Sequence, residues 1–194
     1  MDLTIKGERN QHERMAEDAE LVGAAQRNPL EFEALYRKWL TPVYRYFYFR
    51  LGNVKDAEDL TAQVFLKAYQ DLPRYRNRGA FSAWLFTIAH ARLVDYYRKN
   101  SRKAALEVPI EELEIPVSAM DLPERAAQKG EFEQVFSLLM GLTEKEQTLI
   151  RLRFMAELSY REIGQVLHCK EDTARKSVAR LLERMKKQME NDHD

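Results

Sequence analysis

Apolar residues recur at three- and four-residue steps along most of the chain, and no credible run alternates with the two-residue period of a strand. The pattern predicts an all-α fold. Phe32, Leu35, Tyr36, Trp39, Leu40, Val43 and Phe47 line one face of a helix. Pro42 is expected to bend or break it, because its nitrogen carries no hydrogen and its ring clashes with the preceding turn. Gly52 and Asn53 supply a turn, and Asp56, Glu58 and Asp59 suit the positive end of a second helix running to Leu72. The stretch "LPRYRNRGA" (72–80) is a loop by its Pro, Asn and Gly. From Phe81, the residues Trp84, Leu85 and Ile88 begin a third helix that reaches about Lys103.

Pro109, Pro116 and Pro123 then fall among six acidic residues with no sustained period, which predicts an extended acidic linker. Helical periodicity returns over 131–189, with breaks at 141–143 and around 168–170. The expected organisation is two small helical domains, 30–103 and 129–194, joined by a linker over 104–128. Residues 1–29 form a polar N-terminal segment with the start of the first helix. Its first twenty residues alternate in charge and are expected to be frayed or accessory.

Within the second domain, Ser159 and Glu162 form an S-x-x-E capping box ahead of Tyr160, Ile163 and Leu167 on one helical face. After "HCK" (168–170), Ala174, Val178, Leu181, Leu182 and Met185 make one stripe, and Thr173, Lys176, Arg180 and Lys187 make the opposite one. Helix, tight turn, helix with a basic outer face is what a helix-turn-helix needs to enter a major groove. Its cations neutralise phosphates and donate to guanine O6 and N7. The same periodicity also describes an amphipathic helix whose charged side is simply solvated.

Composition narrows the class. With 194 residues, 45% apolar and 32% charged, the chain is globular and long enough for two domains. No apolar run approaches the roughly 20 residues that span a bilayer, and the N-terminus has no apolar core, so a cytoplasmic protein without membrane insertion is expected. Cys169 is the single cysteine, which excludes an internal disulfide and a multi-cysteine metal site. His168 and Cys169 are sequence neighbours in a turn, poorly placed for a tetrahedral site and lacking an orienting group for a nucleophile, so both are read as structural. No metal or cofactor is expected. No Gly-rich phosphate loop or catalytic triad pattern occurs, and the chain is not expected to be an enzyme. The net charge of +0 hides a segregation: 14 basic against 7 acidic residues over 30–103, then 2 against 8 over 104–135. That asymmetry fits a polyanion partner and a segment that avoids or mimics it.

Four stretches in order, "DAEDLTAQVFLKAY" (56–69), "GAFSAWLFTIAHARLVDYYRK" (79–99), "LTEKEQTLIRLRFMAELSYREIGQVL" (142–167) and "TARKSVARL" (173–181), with the acidic Pro-containing linker between the second and third, resemble the extracytoplasmic-function sigma factors of the sigma-70 family. The resemblance spans about residues 30–189. It implies an initiation subunit of bacterial RNA polymerase whose first domain melts and reads the -10 element and whose second reads the -35 element. It further implies that Asp56, Asp59, Gln63 and Phe65 dock on the clamp helices of the polymerase largest subunit. For Asp56 a role at the helix dipole competes with docking. Arg74, Tyr75, Arg76 and Arg78 match the loop that reads the -10 element, and His90, Ala91, Arg92, Tyr96, Tyr97, Arg98 and Lys99 follow on the next helix. An extruded base needs such aromatic and cationic support. Thr173, Arg175, Lys176 and Arg180 match the groove-facing positions of the recognition helix. Partners implied are polymerase core, promoter DNA and an anti-sigma factor, and the linker's Glu107, Glu111, Glu112 and Glu114 would thread the polymerase RNA path. Ala91 stands where many members carry Asn, Ala62 and Gln63 where Gln and Glu are usual, and Lys176 and Ser177 where Ser and Arg are common.

The closest rival from the residues is an operator-binding helix-turn-helix regulator. Such a regulator has no reason to place a basic aromatic block beside an acidic helix in its first domain.

Overall fold

The computed structural model describes residues 2–76, 80–104 and 141–191, with side chains over 13–76, 80–100 and 141–190. Every regular element there is helical. The helices are α1 (Asp2–Arg27), α2 (Phe32–Leu51), α3 (Val54–Asp71), α4 (Phe81–Ala104), α5 (Glu144–Ile150), α6 (Tyr160–Val166) and α7 (Glu171–Asn191). The acidic linker and its four glutamates, Arg78 of the loop, and residues 105–140 as a whole lie outside the described residues.

Hydrophobic spacing dictates how the first four helices meet. Leu35, Val43, Tyr46 and Phe47 of α2 are fully buried and Trp39 nearly so, against Leu60 and Val64 of α3 and Leu85, Phe86 and Leu93 of α4. The Phe86 ring meets Trp39 at 6.2 Å and Tyr46 at 5.6 Å, both edge to face, and each buried aromatic of this size contributes roughly 1.5–3 kcal/mol. Pro42 does not break α2, which runs unbroken from Phe32 to Leu51. Buried residues on both sides of the proline hold the two halves on one core. Gly52, in the left-handed region at φ 63, closes α2 by donating its N–H to the Tyr48 carbonyl. Asn53 then caps α3 by accepting from the Asp56 N–H at 3.0 Å.

The N-terminal segment is not frayed over its described residues. α1 is one helix whose Val22 and Ala25 enter the same core. Asp18 is buried beside them, accepting from Trp39 Nε1 at 3.2 Å and pairing with Lys38 at 2.8 Å. Burial raises the Asp18 pKa, and Lys38, Trp39 and Arg14 counter that only in part.

In the C-terminal unit, α5 opens on a capping box between Thr143 and Glu146, and a π-helical turn, Arg151–Met155, follows it. A break at Ala156–Ser159 precedes α6, whose predicted Ser159–Glu162 capping box is present. The predicted turn at 168–170 separates α6 from α7. The two units are not held apart. Leu149, Leu152, Ala156, Leu158, Ile163, Val166, Ala174 and Val178 belong to the same continuous core as the first four helices, and α6 packs directly on α4.

Candidate nucleic-acid interface and docking face

The helix-turn-helix depends on a close approach. A Cβ on Gly164 would sit 2.6 Å from the Cys169 carbonyl oxygen and 3.4 Å from the Glu171 nitrogen. Only glycine allows the turn to fold back onto α6 this tightly. His168 takes the left-handed conformation at φ 53, and the Cys169 N–H donates to the Gly164 carbonyl at 2.9 Å. Cys169 is half-buried against the core, a packing role, whereas His168 is exposed and serves the turn through its backbone. Among the described residues no group of three His, Cys, Asp or Glu could hold a metal ion.

On α7 the predicted stripes separate as the spacing requires. Ala174, Val178 and Leu181 are buried, and Thr173, Arg175, Lys176 and Arg180 are exposed. Leu182 departs from the expected stripe and is 41% exposed. Asp172 pairs with Arg175 at 2.5 Å and with Lys176 at 2.7 Å, and those two cations lower its pKa. The pairs hold two cations on one exposed face one turn into the helix.

The second cationic feature is the loop ahead of α4. Arg74, Tyr75 and Arg76 line a cleft of about 560 Å³ together with Ala80, Ala83, Trp84 and Thr87 of α4, and Gln165 of α6 completes the wall. Tyr75 does not project into solvent. It packs at 4.7 Å on Trp84 and 5.9 Å on Phe81, and burial, with the Asp18 charge, pushes its hydroxyl up to about 12. From α1, Gln26 Nε2 donates to the Leu72 and Tyr75 carbonyls at 2.9 and 2.8 Å, which braces the loop's base. Arg74 and Arg76 are exposed at its rim.

Along α4, Ala91, Arg98 and Lys99 are exposed, and Arg92 and Tyr96 are half-buried. Arg98 pairs with Asp95 at 3.0 Å. Two other α4 candidates make internal bonds. The Tyr96 hydroxyl donates to Asp56 Oδ2 at 2.7 Å, and burial followed by this carboxylate pushes its pKa up to about 12. His90 shares a 3.0 Å hydrogen bond between Nδ1 and the Tyr46 hydroxyl. Burial and the Arg151 charge hold its pKa below the ordinary value.

On α3, Asp59 and Gln63 are exposed, in line with Glu58, Ala62, Leu66, Tyr69 and Gln70. Leu66 and Tyr69 are 59% and 46% exposed, so an acidic end grades into an apolar one. Two residues expected to contact a partner turn inward. Phe65 is 4% exposed, edge to face with Phe32 at 6.5 Å and Tyr36 at 4.7 Å, and so supports the face from beneath. Asp56 is half-buried and bound to Tyr96, which ties α3 to α4.

The polar seam between the two units leaves no mark in the local spacing of residues. Arg50 of α2 pairs with Glu144 of α5 at 2.5 Å and lies over the Tyr97 ring at 4.4 Å. Arg151 is 4% exposed; it donates to Glu144 and Thr148 and stands 5.5 Å from the Tyr46 ring centre. Glu162 is 1% exposed, and besides capping α6 it accepts from Ser82 of α4 and Arg14 of α1. The capping box marked Glu162 as a helix start, and nothing in the spacing showed its long-range partners.

Fold and site together define the class: an all-helical protein carrying a helix-turn-helix and, beside it, a cationic aromatic cleft built mainly from the loop ahead of α4 and α4 itself. Residues 35–103 match the Sigma-70 region 2 family and residues 132–185 match Sigma-70 region 4. The chain therefore belongs to the sigma-70 family, in its extracytoplasmic-function group. It is 30% identical over 154 residues to the ECF RNA polymerase sigma factor SigW of Bacillus subtilis, covering 76% of this chain and 82% of SigW. It is 28% identical to the RNA polymerase sigma-H factor of Pseudomonas aeruginosa, over 90% of this chain and 94% of that protein. Two solved structures share the fold at 21% identity. CnrH in complex with the cytosolic domain of CnrY has a TM-score of 0.62, over 90% of this chain and 98% of CnrH. The sigma factor RpoE in complex with the anti-sigma factor NepR, from Bartonella quintana, has a TM-score of 0.64, over 82% and 97%.

Proposed function

We propose that this chain directs RNA polymerase core to specific promoters in the cytoplasm, with residues 30–103 reading and melting the -10 element and 129–194 reading the -35 element as duplex. Residues 104–128 connect the two. The observation that carries the reading is that each matched region presents its own cationic face. One is a convex row on α7 of the width a major groove accepts. The other is a concave cleft walled by Tyr75 and Trp84 and rimmed by Arg74 and Arg76.

Those shapes suit different substrates. A helix with Arg175, Lys176 and Arg180 along one side meets phosphates and base edges of intact duplex. A cleft with an aromatic floor takes a base that has left the stack, which offsets an unstacking cost of a few kcal/mol. Because Tyr75 is anchored on Trp84 and Phe81, it gives a preformed surface rather than a side chain that must be ordered on binding. Arg92, Arg98 and Lys99 continue the cationic track along α4. The face of Asp59, Gln63, Leu66 and Tyr69 on α3 is the docking surface for the polymerase clamp helices, and an anti-sigma partner belongs to the same reading. The chain supplies recognition and melting, and the chemistry of RNA synthesis belongs to the polymerase.

The test is partner dependence. The chain with polymerase core is expected to bind and transcribe from a selected promoter, and alone to bind that duplex weakly. Tight, sequence-specific binding of promoter duplex by the chain alone, unchanged by core, would favour an operator-binding regulator and sink this reading.

A further inference from the structure

The least explained part of the sequence, the N-terminal helix, reaches both units. Its C-terminal half is built into the first unit through Val22, Ala25 and the Gln26 brace under the loop. One end of its described side chains, Arg14, crosses to the helix-turn-helix. Arg14 Nη1 donates to the Glu157 carbonyl at 3.1 Å, and Nη2 meets Glu162 Oε2 at 3.3 Å. The guanidinium lies 5.5 Å from the Trp39 ring centre, which fixes its direction from below. On its far side Glu162 accepts from the Ser82 hydroxyl of α4. The side chains of Arg14 and Glu162 are 23% and 2% exposed, so the charge of Glu162 is almost fully removed from water.

We propose that α1 is an intramolecular latch. Arg14 and Ser82 hold the helix-turn-helix against α4 through Glu162, and this keeps Gln165 in place as a wall of the loop cleft. The chain without polymerase thereby narrows its own site for unpaired DNA. The last step rests on the reading of that cleft as a single-strand site.

The energetics favour a latch over a permanent weld. A buried carboxylate becomes costlier when a cationic partner is removed, because less of its charge is then compensated. Its cap on α6 comes from Ser159 of the same unit and survives opening. When the units part, Glu162 and Arg14 both regain water while α6 stays capped. Loss of Arg14 therefore raises the energy of the closed form and leaves the open form largely untouched. The other seam contacts, Arg50 with Glu144 and Arg151 over Tyr46, do not involve α1, so the contribution of the latch is separable from theirs.

The experiment uses the full chain in a Cys169→Ser background, with donor and acceptor dyes on Glu33→Cys and Gln188→Cys, two exposed positions outside the proposed binding faces. Arg14→Ala is expected to lower energy transfer, Arg14→Lys to keep part of it, and Ser82→Ala to act in the same direction from the α4 side. A fluorescent single strand of the selected -10 sequence is expected to bind Arg14→Ala about fivefold or more tightly than the parent, the lower end of ordinary coupling. Unchanged transfer in both Arg14→Ala and Ser82→Ala overturns the latch. Reduced transfer with unchanged, measurable single-strand affinity overturns the claim that closure narrows the cleft. Absence of single-strand binding in the parent and in the opened variant overturns the reading of the cleft itself, and transfer alone then decides the latch.

Discussion

Gly164 and His90 show how single residues hold the two faces in place. The Gly164→Ala variant would press a methyl group 2.6 Å from the Cys169 carbonyl, a contact that only a backbone shift relieves. It is expected to cost about 1–3 kcal/mol, the usual scale of overpacking, read as a lower urea midpoint with unchanged helix content. An unchanged midpoint would show that the turn is looser than its geometry implies. His90 carries a pH dependence. Burial, Arg151 and His168 lower its pKa from 6.5, Glu144 opposes them, and the Tyr46 hydroxyl bonds its ring. The folded chain thus holds this imidazole neutral where the unfolded chain protonates it. The associated stability is present above 6.5 and is lost as pH falls below it. Burial would raise the pKa of Glu144, but Arg50 and Arg151 together bring it below 4.5, so a second loss follows at lower pH. Urea midpoints are expected to fall between pH 7 and 5.5, and His90→Gln is expected to flatten that step. A step of the same size in the parent and in His90→Gln would contradict the assignment. Both residues were visible in the sequence in different measure. Gly164 is unmarked inside a helical stretch, because its necessity comes from a chain crossing, and the bond of His90 to Tyr46 spans 44 residues, beyond the reach of local spacing.

Among elements, α3 divides into a face and a foundation. Asp59 and Gln63 point outward, and Phe65 lies under them between Phe32 and Tyr36. Their substitutions are expected to differ in kind. Asp59→Arg should weaken association with polymerase core while leaving the unfolding free energy within about 0.5 kcal/mol, the usual range for an exposed site. Phe65→Ala should cost roughly 3–5 kcal/mol of stability, as large-to-small core changes do. Equal core affinity for Asp59→Arg and the parent would remove α3 as the docking element. Helical spacing made α2, α3, α4 and α7 legible, since each buries one stripe at a steady period. It could not rank Phe65, which shares its helix with the exposed row and differs only in which neighbour it meets. α1 was obscured for another reason: its charges mask an apolar face carried by few residues, among them Val22 and Ala25, and a buried Asp18 whose partners Lys38 and Trp39 lie on α2.

At the scale of the whole molecule, the expected separation into two helical units is overlaid by a core that runs through both and by a polar seam of Arg14, Ser82, Glu162, Arg50, Glu144 and Arg151. Charge segregation along the sequence pointed to a polyanion partner, yet a net charge cannot show that the seam draws on the same pool of ionic residues. Continuity of the core places the cleft and α7 on one body, and the proposed reading of two separated elements would require them to part. The central claim is that two faces read two forms of DNA. It is tested most directly by polymerase-dependent transcription on four templates, with the upstream and downstream elements each intact or scrambled, using Arg180→Ala and Tyr75→Ala. Arg180→Ala is expected to lose about 1–3 kcal/mol of initial promoter binding if it reads a base edge bidentately, and only where the upstream element is intact. Tyr75→Ala is expected to lose a comparable amount, roughly 1–3 kcal/mol, from stacking, and only where the downstream element is intact. Opening that element beforehand as a mismatch bubble should relieve the part of the Tyr75→Ala defect that reflects melting. The same pattern of loss for both variants across all four templates would contradict the account and leave a single, undifferentiated cationic surface.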